Sequence, residues 1–436
     1  MTIKILDLFA GAGGLSLGFE LVRDDSGNPV FELHKAVEID KYACETLRKR
    51  HGTEKVIEGD LTKPEVHDQV IRECKGKVSI VVGGIPCQSF SLLGPRSGYG
   101  KQMEQFKHDR RDYLHKEFSK IVSDLKPHIV VIENVKGILS KKDPDGKKII
   151  ENIISDLERS GYNFENNEGE KYLVLNAADF GVPQKRERVI LIGILRKWKD
   201  IKVPMIEPTH YDLNSEKEKS DKRLLPYVNL YEAIGDLPKV EPKITKTGLS
   251  KSKWKAIEKN NLKIKNGFDK IIFDKSKFEE HISKISESGK QFLYFVRPNG
   301  YEYLDHHTAR SHQLSDIELF RNMCEGETAG DFINRNPKLG RKLIKYNMDT
   351  FKDKYRKQQC DQPSTTIFAH LEKDGNRFIH PEQVRTLTPR EAARIQSFPD
   401  DFIFCGPISK KFKQIGNSVP PLMSMNIAKK IARLLQ

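Results

Sequence analysis

Near the amino terminus runs Ile3-Lys4-Ile5-Leu6-Asp7-Leu8-Phe9-Ala10-Gly11-Ala12-Gly13-Gly14-Leu15-Ser16-Leu17-Gly18-Phe19-Glu20-Leu21. Its first seven residues are short and almost continuously apolar, the pattern of a strand buried on both faces. Ala10 to Gly14 then breaks the pattern with three glycines, and Leu15 to Leu21 resumes it at helical spacing. The unit is a strand, a glycine turn and a helix. Open parallel sheets bind ligands at the carboxyl ends of such strands, where a backbone without Cβ lets a ligand approach closely.

Further apolar runs occur at Lys35 to Ile39, Val78 to Val82, His128 to Ile132 and Arg188 to Ile192. Helical periodicity falls between them at Tyr42 to Arg50, Tyr113 to Leu125 and Lys148 to Ser160. The alternation predicts an α/β fold, a doubly wound and mostly parallel Rossmann-like sheet covered on both faces. After Lys197 the alternation decays into sequence rich in Pro and Lys, which marks a second, smaller domain. The expected division is 1–200 plus 408–436 for the first domain and 201–407 for the second. Regular signals return at Leu387 to Gln396, a capped helix with Thr388 as N-cap, Pro389 at N1 and Glu391 at N3. The segment from Pro420 to Leu435 reads as a helix with one apolar face that must dock elsewhere.

The 436 residues carry 75 Lys and Arg against 61 Asp and Glu, a formal charge of +14. That excess favours a polyanionic partner, because each phosphate neutralised releases condensed counterions, but charge alone leaves a merely solvated lysine surface equally open. The charge is uneven: residues 241–280 hold 11 Lys and no Arg against 6 acids. No run approaches the roughly 18 apolar residues of a membrane span, and Asp7 interrupts any signal-peptide core, so a cytoplasmic protein with no membrane partner is expected. The six cysteines are scattered without a Cys-x-x-Cys pair, so neither a disulfide framework nor a metal site is expected.

Ser16 stands where a dinucleotide fingerprint has its third glycine, which disfavours a pyrophosphate site. Glu38, at the end of the second predicted strand, is placed to accept hydrogen bonds from two ribose hydroxyls, and Asp60 to meet an exocyclic amine. A glycine turn with two acids fits an adenosine-bearing cofactor without phosphates. Gly83-Gly84-Ile85-Pro86-Cys87-Gln88-Ser89-Phe90-Ser91 follows another buried strand and presents Cys87 as a candidate nucleophile on a loop rich in Gly and Ser. Glu133 ends the next strand, and Arg186 and Arg188 precede the one after it. A thiol, a carboxyl group and two guanidiniums are therefore expected in one crevice.

Taken together, Asp7-Leu8-Phe9-Ala10-Gly11-x-Gly13-Gly14, Pro86-Cys87-Gln88, Glu133-Asn134-Val135, Gln184-x-Arg186-x-Arg188 and Gly416-Asn417-Ser418-Val419-Pro420 resemble the ordered motif set of the DNA (cytosine-5) methyltransferases. Five blocks in order span nearly the whole chain; only about 199–376 lacks a family-wide signature, as the family's variable target-recognition domain does. The resemblance implies a class I methyltransferase fold that uses S-adenosylmethionine, yields S-adenosylhomocysteine and needs no metal. It implies cofactor contacts from Phe9, Ala10, Gly11, Gly13, Gly14 and Leu15, with Phe9 against the adenine. Glu38 and Ile39 would lie at the ribose side, Asp60 and Leu61 at the adenine amine, and Pro86, Asn417 and Val419 would complete the pocket. It further implies addition of Cys87 to C6 of a flipped-out cytosine. Glu133 would engage N3 and the exocyclic amine while Arg186 and Arg188 position the base; the division between the two arginines stays open.

The expected partner is double-stranded DNA carrying a short recognition sequence, with a cognate restriction endonuclease acting on the same site without a stable complex. Family members commonly act as monomers, one target base per event. Two other readings compete with this one. The tRNA-methylating branch shares the scaffold, but Gln88-Ser89-Phe90-Ser91 is of the DNA type. A silent DNA-binding module would be expected to have lost one of Cys87, Glu133, Arg186 or Arg188. Candidates for base readout are Arg310, Arg321, Arg335, Arg341 and Arg356, most of which should contact phosphate or solvent instead.

Overall fold

A computed structural model of the chain describes residues 2–86, 114–143, 145–215, 223–298, 300–344, 354–373 and 375–435. They form two compact units. The first comprises Met1–Phe180, Arg186–Thr209 and Ser418–Gln436, and the second Gly181–Lys185 and His210–Asn417.

The first unit is built on one sheet. In chain order its elements are β1 (Ile3–Leu8), α1 (Gly14–Glu20), β2 (Phe31–Glu38), α2 (Lys41–His51), β3 (Val56–Glu58), α3 (Pro64–Cys74), β4 (Ile80–Gly84), α4 (Leu114–Leu125), β5 (Ile129–Val135), α5 (Ile149–Arg159), β6 (Tyr162–Asn163), β7 (Leu173–Asn176) and β8 (Glu187–Leu195). The strand order is β3-β2-β1-β4-β5-β8-β6, with β7 also pairing β8. The five strands β1 to β5 run parallel, whereas β8 runs antiparallel to β5, with Val135 opposite Arg188 and Glu133 opposite Ile190. Ile5, Leu6, Leu8, Val81, Val82, Val130, Val131 and Ile132 are completely buried, as strands sandwiched between helices must be. α5 shows the complementary pattern: Ile149, Ile150, Ile153, Ile154 and Leu157 form one buried stripe at helical spacing.

The antiparallel β8 bears directly on function. After α5 the chain does not make another helical crossover. Instead β6, β7 and a 3-10 turn (Ala177–Phe180) return it to the carboxyl ends of the parallel strands, so β8 enters the sheet from that edge. Residues just before β8 thus lie beside residues just after β4 and β5. The mostly parallel α/β sheet expected from the sequence is what the chain forms. Two elements leave no readable signal in the sequence. β3 has three residues, too few to show a period, and α3 starts at a proline whose helix-initiating N1 role is invisible without its neighbours.

The closing helix, Pro421–Leu435, packs on α1. A Cβ on Gly18 would sit 2.3 Å from Ser424 Cβ and 2.6 Å from Met425 N, so only glycine permits this approach. Ser424 Oγ donates a 2.5 Å hydrogen bond to Leu15 O. The docking partner that the sequence demanded of this helix is α1.

The second unit is less regular. It holds a two-stranded antiparallel sheet (Gly267–Ile272 with Tyr303–Thr308), a short parallel pair and nine described helices, with one apolar cluster around Phe320, Met323, Phe332, Tyr355 and Ile379. Its centre is the helix Pro389–Ile395, which is buried throughout. The predicted cap is present in full: Thr388 accepts from Glu391 N while Glu391 accepts from Thr388 N. Glu391 also takes both terminal nitrogens of Arg385 (2.7 and 2.6 Å), and Arg394 bridges Asp400 and Asp236. The side chains of Arg385, Glu391, Arg394, Asp236 and Asp400 in these ion pairs are wholly out of solvent.

Candidate active site

Everything of chemical interest in the first unit gathers at the carboxyl edge of its sheet. β1 ends at Leu8, opposite Gly83 of β4; Gly84 lies opposite Glu133 of β5; β8 begins at the same edge. Three segments therefore lie side by side: the glycine loop after β1, the Ile85-Pro86 turn after β4, and Glu133 with Arg188.

The glycine loop is a strained and tightly tied turn. Phe9 has φ 57, Gly11 φ 56 and Gly13 φ 79. A left-handed phenylalanine costs on the order of 1 kcal/mol and persists only where its surroundings over-determine it. Here Ala10 N bonds Val37 O at 3.1 Å and Gly13 N bonds Ala10 O at 2.8 Å, pinning both sides of the turn. At Gly11 no atom of the described residues lies within 4 Å of where a Cβ would stand, which leaves room there for a ligand.

Glu38 is engaged more fully than the sequence suggested. Its Oε2 accepts from Gly11 N (2.7 Å), and its Oε1 accepts from Ile39 N (2.9 Å) and Asp40 N (2.8 Å). Three backbone donors fix this carboxylate against the loop, and of its roughly four lone-pair sites one is left for a ligand hydroxyl. Ile39, next in sequence, is 64% exposed beside this cradle although it is large and apolar. Asp60 forms an Asx turn with Thr62 through Oδ1, and its Oδ2 has no partner among the described residues. Leu15, Leu61 and Val419 are buried; Asn417 is exposed at the end of the helix Ile408–Asn417, in the second unit.

Beneath the loop lies a group that the sequence does not single out. Asp7 points into the core, 1% exposed, and accepts a 2.5 Å hydrogen bond from Ser16 Oγ while its other oxygen has no hydrogen-bond partner among the described residues. Burial pushes its carboxyl up to about 7. The strand pattern hides it, since one acid among six residues of β1 reads as noise.

Glu133 and Arg188 form a buried ion pair, Oε1 to Nε 2.7 Å, each side chain about 10% exposed. The N–H points off the oxygen, so this is a charge contact rather than a linear hydrogen bond. The Glu133 carboxylate also reaches over Gly84, where an added Cβ would lie 3.3 Å from Oε2. Arg186 takes a different course, its guanidinium donating to Ser418 O at 3.0 Å and its backbone N to Asn176 Oδ1 at 3.0 Å. The two arginines left undivided by the sequence are thus divided by geometry. Asn134 has a task that its motif does not reveal. Buried to 1% exposure, it donates from Nδ2 to Ile85 O at 3.2 Å, holding the turn that leads to Pro86. Cys87 and the Gly/Ser-rich loop after it lie outside the described residues.

An adenosine-bearing cofactor fits this edge. Open space over Gly11, a fixed carboxylate with a site to spare, the exposed Ile39 and the free Asp60 oxygen are what a nucleoside without phosphates would use. Among the described residues no group of His, Cys, Asp and Glu is arranged to hold a metal ion.

Comparison with known proteins gives the family of the chain. The family model of C-5 cytosine-specific DNA methylases matches residues 3–433. The chain belongs to that family. It is similar to the type II methyltransferase M1.HphI of Haemophilus parahaemolyticus, 31% identical, with 100% of this chain and 88% of that protein covered. It is similar also to the type II methyltransferase M.NgoFVII of Neisseria gonorrhoeae, 31% identical, covering 98% and 86% respectively. Among solved structures, a protein of an Escherichia coli prophage assigned as a DNA modification methyltransferase shares the fold, with TM-score 0.64 at 22% identity over 100% of this chain and 99% of that one.

As a member of that family the methylase is a DNA (cytosine-5) methyltransferase, and the tRNA alternative is not favoured. No helix among its described residues is long and apolar enough to cross a membrane. In its second unit two of the five arginine candidates for base readout are committed internally: Arg310 donates to Leu371 O and stacks on Phe412, and Arg335 pairs with Glu327. Arg321 and Arg341 are exposed. A separate cleft of about 430 Å³ lies at the amino end of the first unit's sheet, lined by Thr2, Glu20, Phe31, Arg50 and His51 among others.

Proposed function

We propose that the methylase transfers a methyl group from S-adenosylmethionine to C5 of a cytosine flipped out of a short, specific duplex sequence, as the modification enzyme of a restriction–modification system. The observation that carries this reading is the meeting of the Glu38-anchored glycine loop and the buried Glu133–Arg188 pair on one sheet edge, on either side of the turn leading to Cys87.

The cofactor, when bound, supplies an electrophilic methyl group and departs as S-adenosylhomocysteine; no metal takes part. Phe9 to Leu15 and Val419 would enclose it, with Glu38 and Ile39 at the ribose, Asp60 and Leu61 at the adenine, and Pro86 and Asn417 closing the pocket. The chain's own work is to make C5 nucleophilic. Flipping exposes C6 at a cost of a few kcal/mol of unstacking. The Cys87 thiolate then forms an Sγ–C6 bond, and the C5–C6 π pair becomes available at C5 for the methyl group. Loss of the C5 proton to solvent water lets the C5–H pair restore the double bond, and the Sγ–C6 bond breaks with its electrons returning to sulfur.

Electron density enters the ring only if N3 can accept it, and Glu133 serves this step by holding a proton between its carboxyl group and N3. Arg188 fixes the orientation of Glu133, while Arg186, tied to Ser418 O, anchors the closing segment near the base. The first unit is the catalytic domain and the second the target-recognition domain, close to the 1–200 plus 408–436 and 201–407 division. The enzyme acts as a monomer in the cytoplasm, and a cognate endonuclease cuts the same site without a stable complex.

The test is incubation with tritiated methyl donor and duplex DNA or tRNA, followed by digestion to nucleosides. Label is expected in 5-methylcytosine from DNA, and none with Cys87→Ala, which should still bind duplex. Label in RNA only, label in N4-methylcytosine, or turnover by Cys87→Ala would each defeat the proposal.

A further inference from the structure

The lysine-rich tract at 241–280 is not absorbed by this chemistry. Its centre is the helix Lys251–Lys263, capped by Ser250. The helix is held along one stripe only: Trp254 and Ile257 are half-buried, and Asn261 is buried, exchanging two hydrogen bonds with the backbone of Ile244 (2.7 and 2.9 Å). On another side Lys251, Lys255, Lys259 and Lys263 follow one another at four-residue spacing, all exposed.

Two observations set this row apart from an ordinary solvated face. Several exposed lysines elsewhere pair with acids, as in Lys136–Glu187, Lys202–Glu165 and Lys284–Glu280. Among the described residues, none of the four ammonium groups in the row has an ion-pair or hydrogen-bond partner. The arrangement also works against the helix that bears it. Like charges at i,i+4 repel, and Lys251, in a first turn that holds no acid, opposes the helix dipole. An anionic partner laid along the row would reverse both penalties.

We infer that the row Lys251-Lys255-Lys259-Lys263 tracks the phosphate backbone of duplex DNA outside the recognition sequence. Twelve residues of helix rise about 18 Å, and one DNA strand carries a phosphate every roughly 3.4 Å of axis, so four cations meet a stretch of about five phosphates. Such contacts carry no sequence information; they raise affinity for long duplexes and make it salt-dependent. The inference rests on duplex DNA being the substrate, and its test reads binding separately from methyl transfer.

The experiment compares the wild-type enzyme with a Lys→Gln variant at all four positions, and with a Lys→Arg variant that keeps the charges. Duplexes of about 15 and about 40 base pairs contain one methylatable site each. Dissociation constants are measured from about 50 to about 200 mM salt. Removing one lysine–phosphate pairing makes the log–log salt slope shallower by about 0.9; with all four removed, that salt range weakens the Gln variant about 150-fold less than wild type. The difference should be confined to the long duplex, the Arg variant should match wild type, and turnover at saturating short duplex should be unchanged. Equal slopes for wild type and the Gln variant on the long duplex would overturn the inference, as would a loss seen only with anionic lipid vesicles or single-stranded RNA. If the Gln variant does not fold, acylation of the four lysines in the wild-type enzyme decides: long duplex should protect them, and unchanged reactivity refutes the inference. A wild-type enzyme that binds long duplex through the row yet labels no DNA would sink the proposed function and leave this surface standing.

Discussion

The Glu133–Arg188 pair offers the sharpest separation of chemistry from architecture. Both side chains are about nine-tenths buried and 2.7 Å apart, so removing one leaves the other as a nearly desolvated charge. Stranding a buried ion costs about 3–5 kcal/mol. Glu133→Gln keeps an oxygen near Arg188, and Arg188 keeps its bond to Glu187 O, so a loss of about 2–3 kcal/mol is expected for Glu133→Gln and about 3 for Arg188→Met. Removing both charges together, in Glu133→Gln with Arg188→Met, strands neither, and the double variant should be more stable than the sum of the single losses by about 2 kcal/mol or more. Denaturant unfolding followed by circular dichroism measures that coupling. Methyl transfer should behave otherwise: all three variants should be inactive, the double variant included, because restored stability does not restore a proton at N3. Additive single losses below about 1 kcal/mol would show that the pair is not energetically coupled. Activity in the double variant would remove Glu133 from the chemistry.

Other outcomes follow from the same structure. Asp7 has its folded pKa raised to about 7 from 3.8, so between those values the native state holds a proton the unfolded chain has released. Stability contributed there falls as pH rises through that window, by at most about 4 kcal/mol, and the stability gap between wild type and Asp7→Asn should shift by that order in the variant's favour from pH 4 to pH 7. His312 and His380 behave oppositely: their ring nitrogens accept from the backbone N–H groups of Thr386 and of Glu382 and Gln383, and burial pushes both down to about 4. Their contribution is present above about 6.5 and lost as pH falls toward 4, on the order of 3 kcal/mol each, so His380→Gln should flatten acid unfolding in that range. Gly18→Ala forces a methyl group onto Ser424 and the backbone of Pro421 and Met425, and should cost about 1–3 kcal/mol or more in thermal unfolding, whereas Gly11→Ala meets no described atom and should cost only the strain of a left-handed residue, about 1 kcal/mol.

What the sequence made legible divides by length scale. Buried strands announce themselves because continuous apolar runs such as Val78 to Val82 have few other uses, and the helix at Pro389 announces itself because a capping box is a local device. The glycine loop, Glu38, Glu133 and both arginines were legible as positions on one sheet edge. Their partners were not, because partnership depends on register. That Glu38 would spend three lone pairs on backbone follows from β2 lying beside β1, that Arg188 rather than Arg186 would face Glu133 follows from β8 lying antiparallel to β5, and that Asn134 would hold the Pro86 turn follows from the register of β4 and β5, none of which periodicity encodes. Asp7 was hidden for the opposite reason: its environment is purely tertiary.

The second unit shows why arginine content misleads when a nucleic-acid surface is sought. Its densest cluster, Arg385, Arg390 and Arg394, is entirely buried, and each guanidinium is spent: Arg385 on Glu391, Arg394 on Asp236 and Asp400, Arg390 on the carbonyls of Asp305, Pro399 and Phe402. An arginine so committed cannot reach a phosphate without stranding an acid in the core, a cost of several kcal/mol that one exposed phosphate contact does not return. These residues are therefore the unit's skeleton, and they take the place of an extended sheet in a region with few strands. Cations that the fold leaves unspent are the ones available to DNA, and among the described residues they include Arg321 and Arg341 of the candidate readers and the lysine row of the helix Lys251–Lys263. A skeleton held by internal charge leaves the unit's surface free to vary residue by residue without disturbing the helix at Pro389 on which the unit is built.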